Sequence, residues 1–127
     1  MQGPIRVAVC DDARAVKLFL KQVLEEEGDI EVVSSTATGA AVLADAADAR
    51  ADVLLLDLLL PDVDDPATLI GELRRRSPAT AIVLISNMPP HKLGDEAARL
   101  GTDGWIVKAQ KPEELRGAVR RAVAATG

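Results

Sequence analysis

Aromatic side chains are almost missing from this chain: one Phe (Phe19), one Trp (Trp105) and no Tyr in 127 residues. The core must therefore be built from Ala, Val, Leu and Ile. A single cysteine, Cys10, excludes an internal disulfide. Its neighbours Val7, Ala8 and Val9 suit a buried small hydrophobe rather than a reactive thiol. The one histidine, His91, falls at a helix start and reads as exposed, not as a ligand or phosphate relay. There is no basic excess: the net charge is −5, which argues against direct nucleic-acid binding, where the phosphate backbone rewards a basic face. The one basic run, Arg74-Arg75-Arg76, fits a helix C-terminus, where cations suit the dipole. A membrane-spanning helix needs about 20 apolar residues. The run from Val53 to Leu60 is eight long, and Pro61 ends it. The opening residues "MQGPIRVAVCDD" lack the apolar core and cleavage pattern of a secretory signal. The expectation is a soluble, cytoplasmic protein with no membrane contact.

What is present is a globular composition, 48% hydrophobic and 28% charged, of a length that suits one domain, 1–127. Short apolar runs alternate with amphipathic segments throughout. The runs 5–9, 30–35, 52–57, 81–86 and 104–108 read as strands. The segments between and after them read as helices. In the first helix Val16, Phe19, Leu20, Val23 and Leu24 recur at helical spacing, and Gly28 stops it. Five β–α units in strict alternation predict an α/β fold: a parallel sheet with helices on both faces. The nearly continuous apolar strands predict that both faces are covered.

Ligands of an open α/β sheet bind beyond the carboxyl ends of its strands. Asp11 and Asp12 follow the first strand. Asp57 ends the third, Ser86 the fourth and Lys108 the fifth. Asp57 is notable, because seven of the eight residues in "VLLLDLLL" are Val or Leu. An unpaired charge inside such a run costs several kcal/mol or more, so its place at the polar end of the strand is what makes it tolerable. Three clustered carboxylates repel and invite a divalent cation. Oxygen ligands without His or Cys suit magnesium. An aspartate can also accept a phosphoryl group, and Lys108 and Ser86 can then neutralise and hydrogen-bond its oxygens.

The pieces "VAVCDD", "DVLLLDLLLPDVDD", "AIVLIS" and "GTDGWIVKAQKPEEL", in this order and spacing, resemble the receiver domain of two-component response regulators. The resemblance covers essentially the whole chain. "DIEVV" and "KPEELRGAVRRAV" look most like receivers that precede LuxR-type helix-turn-helix domains, and no such output domain lies within the 127 residues. The resemblance implies a flavodoxin-like (βα)5 fold with strand order 2-1-3-4-5. It implies that Asp57 is the phosphoacceptor. Asp12 and Asp57 would ligate Mg2+ directly, with the backbone carbonyl of Leu59, while Asp11 holds the metal through water and orients Asp12. Ser86 would contact the phosphoryl group, and Lys108 would pair with Asp57. Trp105 occupies the aromatic switch position on the surface of the fourth helix, fifth strand and fifth helix. The implied partners are a histidine kinase or phosphotransfer protein as donor and a downstream protein target, with a phosphorylation-dependent dimer as one form of output. The domain assists its own phosphorylation and dephosphorylation and is not an enzyme with a turnover substrate.

Plainer readings stand beside these. Asp11 and Asp12 can form a turn and N-cap. Ser86 can cap a turn, Lys108 can be a solvated charge, and Trp105 can be a packing residue. Asp62, Asp64 and Asp65 read as loop acids. Four positions depart from the commonest receiver: Leu59 is apolar, Asp65 replaces a frequent glycine, Asn87 stands where Ala or Gly is usual, and Ala109 follows Lys108 in place of proline, which disfavours a cis bond there. Leu59, Asn87 and Ala109 give weight to a phosphorylation-independent pseudo-receiver used for docking or dimerisation. A nucleotide-binding enzyme of flavodoxin-like fold needs a glycine-rich phosphate loop after the first strand, and "CDDARAV" has none.

Overall fold

A computed structural model describes residues 3–126. The elements follow in strict alternation: β1 (Ile5–Cys10), α1 (Arg14–Glu25), β2 (Ile30–Thr36), α2 (Gly39–Ala49), β3 (Val53–Asp57), α3 (Pro66–Arg76), β4 (Ala81–Ser86), α4 (Pro90–Leu100), β5 (Gly104–Val107) and α5 (Pro112–Thr126). All neighbouring strands are parallel, in the order β2-β1-β3-β4-β5. The expected α/β fold, its strand order and its coverage on both faces are therefore present.

Strand alternation divides the core in two, because successive side chains point to opposite faces. Val7, Val9, Val53, Leu55, Val83 and Ile85 pack with Leu20, Leu24, Leu115 and Val119 of α1 and α5. Ala8, Cys10, Leu54, Leu56, Ile82 and Leu84 pack with Val42, Leu69, Leu73 and Leu93 of α2, α3 and α4. No aromatic ring belongs to either cluster. Cys10 is buried, and burial pushes its thiol up to about 11.

Several expectations need correction. Phe19 does not face the core: it is 43% exposed, while Leu20, Val23 and Leu24 form the buried stripe of α1. The apolar stripe is narrower than the spacing suggested, and Phe19 lies beyond its edge. β3 starts at Val53, one residue later than expected, and the carboxylate of Asp52 accepts the Arg6 N–H at 2.9 Å. β5 ends at Val107, leaving Lys108 one residue beyond the strand. β2 carries an extra residue opposite Val7/Ala8; the Glu25 carboxylate accepts the nearby Val32 N–H at 2.9 Å.

The basic run ends α3 as expected, and its cations also find specific partners. Arg74 donates to the Gly101 carbonyl at 2.8 Å and pairs with Asp103 at 3.3 Å. Arg76 donates to the Leu43 carbonyl at 3.1 Å. On the opposite side, Arg116 of α5 is buried and donates to the Val23 carbonyl at 3.0 Å, and Arg120 grips both carboxylate oxygens of Asp29 at 2.8 Å. His91 is exposed on α4.

Candidate functional site

Strand order reverses direction at β1, which lies between β2 and β3. The crevice at such a switch point is where a doubly wound sheet binds ligands. The register explains how distant residues reach it. Cys10 pairs with Leu56, so Asp11 and Asp57 emerge as neighbours one step further on. Asp57 pairs with Ile85, and Ser86 with Val107, so Ser86 and Lys108 follow along the same rim. The Lys108 N–H donates to the Ser86 carbonyl at 2.8 Å, extending the ladder to the lysine itself.

Carboxylate oxygens of Asp11, Asp12 and Asp57 lie within 4.8 Å of one another. Asp11 is fully buried and Asp57 is 5% exposed, whereas Asp12 faces solvent. Burial raises the Asp57 carboxyl above its ordinary range. The Leu59 N–H opposes that shift, Asp11 adds to it, and Lys108 opposes it. The Leu59 N–H donates to Asp57 Oδ1 at 3.1 Å. Leu59 is 68% exposed beside Asp57.

Lys108 differs from expectation. Its Nζ lies 2.6 Å from Asp11 Oδ2 and 3.4 Å from Asp57 Oδ1, so the closer partner is Asp11. The physical reason is burial: Asp11 is the more enclosed carboxylate and needs the nearer counter-charge. Burial works against the lysine's charge, yet the two carboxylates outweigh it and lift the ammonium above its ordinary value. Lys108 is thus a paired cation, not a solvated one.

The plainer readings are partly realised as well. Asp11 Oδ1 accepts the Ala13 N–H at 2.8 Å, a local turn, but the N-cap of α1 is Ala13 and has no side-chain cap. Ser86 is 2% exposed, and its Oγ accepts the Met88 N–H at 3.2 Å. Asn87 is exposed beside it. No cis peptide bond occurs among the described residues, so Lys108–Ala109 is trans. Trp105 is 40% exposed on β5, and its indole lies against Gly94 of α4, where an added Cβ would meet the ring at 3.4 Å.

Two of the loop acids have definite tasks that sequence reasoning missed. Asp65 is the N-cap of α3, accepting from Ala67 N–H at 3.1 Å and Thr68 Oγ1 at 2.8 Å. The signal was legible in "DP", an acid directly before a proline at the helix start. Asp62 accepts the Gly39 N–H at 2.9 Å and the Ala40 N–H at 3.2 Å, both in the first turn of α2. That contact joins distant segments, and no local pattern marks it.

The residues fit a hard divalent cation. All three clustered side chains offer oxygen, the preference of magnesium. Three carboxylates and one ammonium carry two net negative charges when ionised, which one such cation cancels. A buried carboxylate at a parallel sheet's switch point, with acids on one side and a lysine on the other, defines a class of α/β domain with an acidic, cation-accepting rim.

Comparison with known proteins makes the class specific. The chain belongs to the response regulator receiver domain family, whose model matches residues 7–120. It is 27% identical over 117 residues to the response regulator protein VraR of Staphylococcus aureus, a match covering 92% of this chain and 56% of that protein. The chain therefore spans about half the length of the curated relatives it matches. Among solved structures, the signal receiver domain of the response regulator NarL from Mycobacterium tuberculosis superposes with a TM-score of 0.85 at 27% identity, covering 97% of this chain and 98% of that one. A CheY-like receiver domain from Methanospirillum hungatei shares the fold, with a TM-score of 0.82 at 23% identity over 98% of this chain and 97% of the other. Receiver domains are regulatory switches rather than enzymes with a turnover substrate. Among the described residues, no helix is long and apolar enough to cross a membrane.

Proposed function

We propose that residues 1–127 form one receiver unit whose Asp57 accepts a phosphoryl group, in the cytoplasm, from a partner histidine kinase or phosphotransfer protein. The observation that carries this reading is the placement of Asp57: nearly buried, within 4.8 Å of two further carboxylates and 3.4 Å from the Lys108 ammonium. A structural aspartate needs a counter-ion, not two acidic neighbours.

In the transfer an Asp57 oxygen attacks phosphorus on a donor phosphohistidine. The P–O bond forms as the P–N bond breaks, and the electron pair stays on the imidazole. Asp12, Asp57 and the Leu59 carbonyl would hold magnesium, with Asp11 acting through water; when bound, the ion withdraws charge from the phosphoryl oxygens. Lys108 neutralises a further oxygen, and Ser86 Oγ exchanges its Met88 contact for the phosphoryl group. Output is a shift between two conformations. It needs a downstream protein, or a second copy of this chain, with unequal affinity for the two. Trp105, half exposed over Gly94, is the aromatic that would report this shift.

The pseudo-receiver reading draws on Leu59, Asn87 and Ala109. The paired Lys108 and the complete acidic cluster favour the phosphorylated switch. Incubation with magnesium and acetyl phosphate, read by intact mass, separates the two. The switch gains one phosphoryl group, and Asp57→Asn gains none. A parent chain of unchanged mass supports the docking module.

A further inference from the structure

The acid in the middle of the β3–α3 loop reaches across to a different helix, and this contact ties together the two sides of the rim. Asp62 Oδ1 and Oδ2 accept the N–H groups of Gly39 and Ala40 at 2.9 and 3.2 Å. These are two of the amides that a helix N-terminus leaves without intrahelical partners, and an acid there also meets the positive end of the helix dipole. The interaction draws the Asp62 carboxyl below its ordinary range.

Packing reinforces the contact. A Cβ placed on Gly39 would meet Val63 Cγ2 at 2.5 Å, closer than real carbon contacts allow. Only glycine lets the loop approach this closely. Thr38 completes the junction, its Oγ1 accepting the Ala41 N–H at 3.0 Å.

The junction is coupled to both halves of the site. On one side, the Asp11 N–H donates to the Thr36 carbonyl at 3.1 Å, just before α2. On the other, the loop that contains Asp62 begins at Leu58 and Leu59, directly after Asp57. Leu58 and Leu60 are buried, whereas Leu59 is exposed. Thus the turn after β1, with its metal-side acids, and the segment bearing the Leu59 carbonyl are fastened to the same stretch, 36–40.

We propose that Asp62 is a positioning residue: by latching the β3–α3 loop to the N-terminus of α2, it sets the Leu59 carbonyl against Asp12 and Asp57 for magnesium. The inference rests on the metal assignment made above. Asp62 itself is not one of the clustered carboxylates. Its effect runs through the loop, and misplacement of a ligand by a fraction of an ångström is enough to lower affinity and rate.

The test uses the full chain and four variants, with magnesium titrated alone and followed by amide chemical shifts. Asp62→Ala should weaken magnesium binding about tenfold, as expected for a displaced ligand set, and should speed hydrogen exchange at the Gly39 and Ala40 amides. Asp62→Asn, which keeps one of the two acceptor oxygens and loses the charge, should restore part of the affinity. Gly39→Ala should weaken binding with the carboxylate intact, and Gly39→Ala with Val63→Ala should recover it. If Asp62→Asn binds as poorly as Asp62→Ala although its Gly39 and Ala40 amides exchange as slowly as the parent's, the effect is charge and the latch is overturned. If Asp62→Ala exchanges faster yet binds magnesium like the parent, Asp62 is a helix cap only, which also overturns it. Should Asp62→Ala not fold, the Gly39 and Val63 pair decides by the same titration. A parent that binds no magnesium removes the metal assignment and the latch's role together; a binding parent with an unaffected Asp62→Ala removes the latch alone.

Discussion

Lys108 Nζ lies 2.6 Å from Asp11 Oδ2, nearer than its 3.4 Å to Asp57 Oδ1. The lysine therefore serves first as counter-ion to a fully buried acid and only second as neighbour of the proposed acceptor. Removing one partner of a buried pair strands the other, which costs about 3 kcal/mol. Lys108→Ala should lose stability of that order without magnesium. The ion should then restore more stability to the variant than it adds to the parent, because a ligand of the native state stabilises it by mass action. Thermal melts with and without magnesium measure both effects. Equal increments would show that Lys108 and the metal do not share the cluster's charge.

Asp12 is the solvent-facing member of the acidic cluster. Its removal leaves no buried charge stranded, so Asp12→Ala should melt within about 1 kcal/mol of the parent, as surface substitutions do. It should nevertheless gain no phosphoryl group from acetyl phosphate and magnesium. Full phosphorylation of this variant by intact mass would remove Asp12 from the metal site.

Leu59 exposes 68% of its surface beside Asp57 and offers no hydrogen bond from its side chain. Hydrolysis of an aspartyl phosphate needs a water in line with the bond to Asp57, and a polar side chain here can hold it. The phosphorylated parent should decay over many minutes to hours. Leu59→Asn should speed decay about tenfold, the value of one contact of roughly 1.4 kcal/mol in the transition state. Magnesium affinity should not change, because the proposed ligand is a backbone carbonyl. Loss of the phosphoryl group from the parent within seconds contradicts this account, as does slower decay in the variant.

Trp105 is the sole tryptophan, and its ring is half exposed over Gly94. Drawing Ser86 towards a phosphoryl group should let the indole move, and a more buried ring emits at shorter wavelength and is quenched less. Beryllofluoride with magnesium should therefore shift emission and reduce iodide quenching. Unaltered emission and quenching at saturation assign Trp105 to packing alone.

Glu25 offers a pH test away from the metal cluster. The Val32 N–H, and then the Lys21 ammonium, hold its carboxyl below the ordinary value of 4.5. A depressed folded value means that the stabilisation is fully present above the unfolded value and is lost as pH falls through the folded one. Glu25→Gln should therefore flatten the stability-versus-pH curve below about pH 4.5 and leave the slope near neutrality unchanged. Denaturant melts across pH 3–7 measure it; an unchanged acid limb would show that the Val32 contact contributes nothing.

Local pattern carried most of the fold. The β–α alternation, both bounds of β4, and the buried strand that ends at Asp57 were all readable, because strand and helix periods are written in neighbouring residues. The rim was readable too, since parallel strands deliver their carboxyl ends to one edge, and Asp11, Asp12, Asp57, Ser86 and Lys108 all stand at or just beyond those ends. Phe19 was misplaced because spacing defines a stripe but not its width, which the packing of α1 against the sheet sets.

Only the tertiary structure decided who partners whom. That Lys108 lies nearer Asp11 than Asp57 depends on relative burial, a property of the packed rim. That Asp62 accepts the first amide of α2, a helix whose N-cap is Thr38, depends on a contact spanning 23 residues. Sequence fixes which groups reach the rim because that is a matter of strand period. It leaves their pairing open, because the free energy of a charge is set by every element that closes around it.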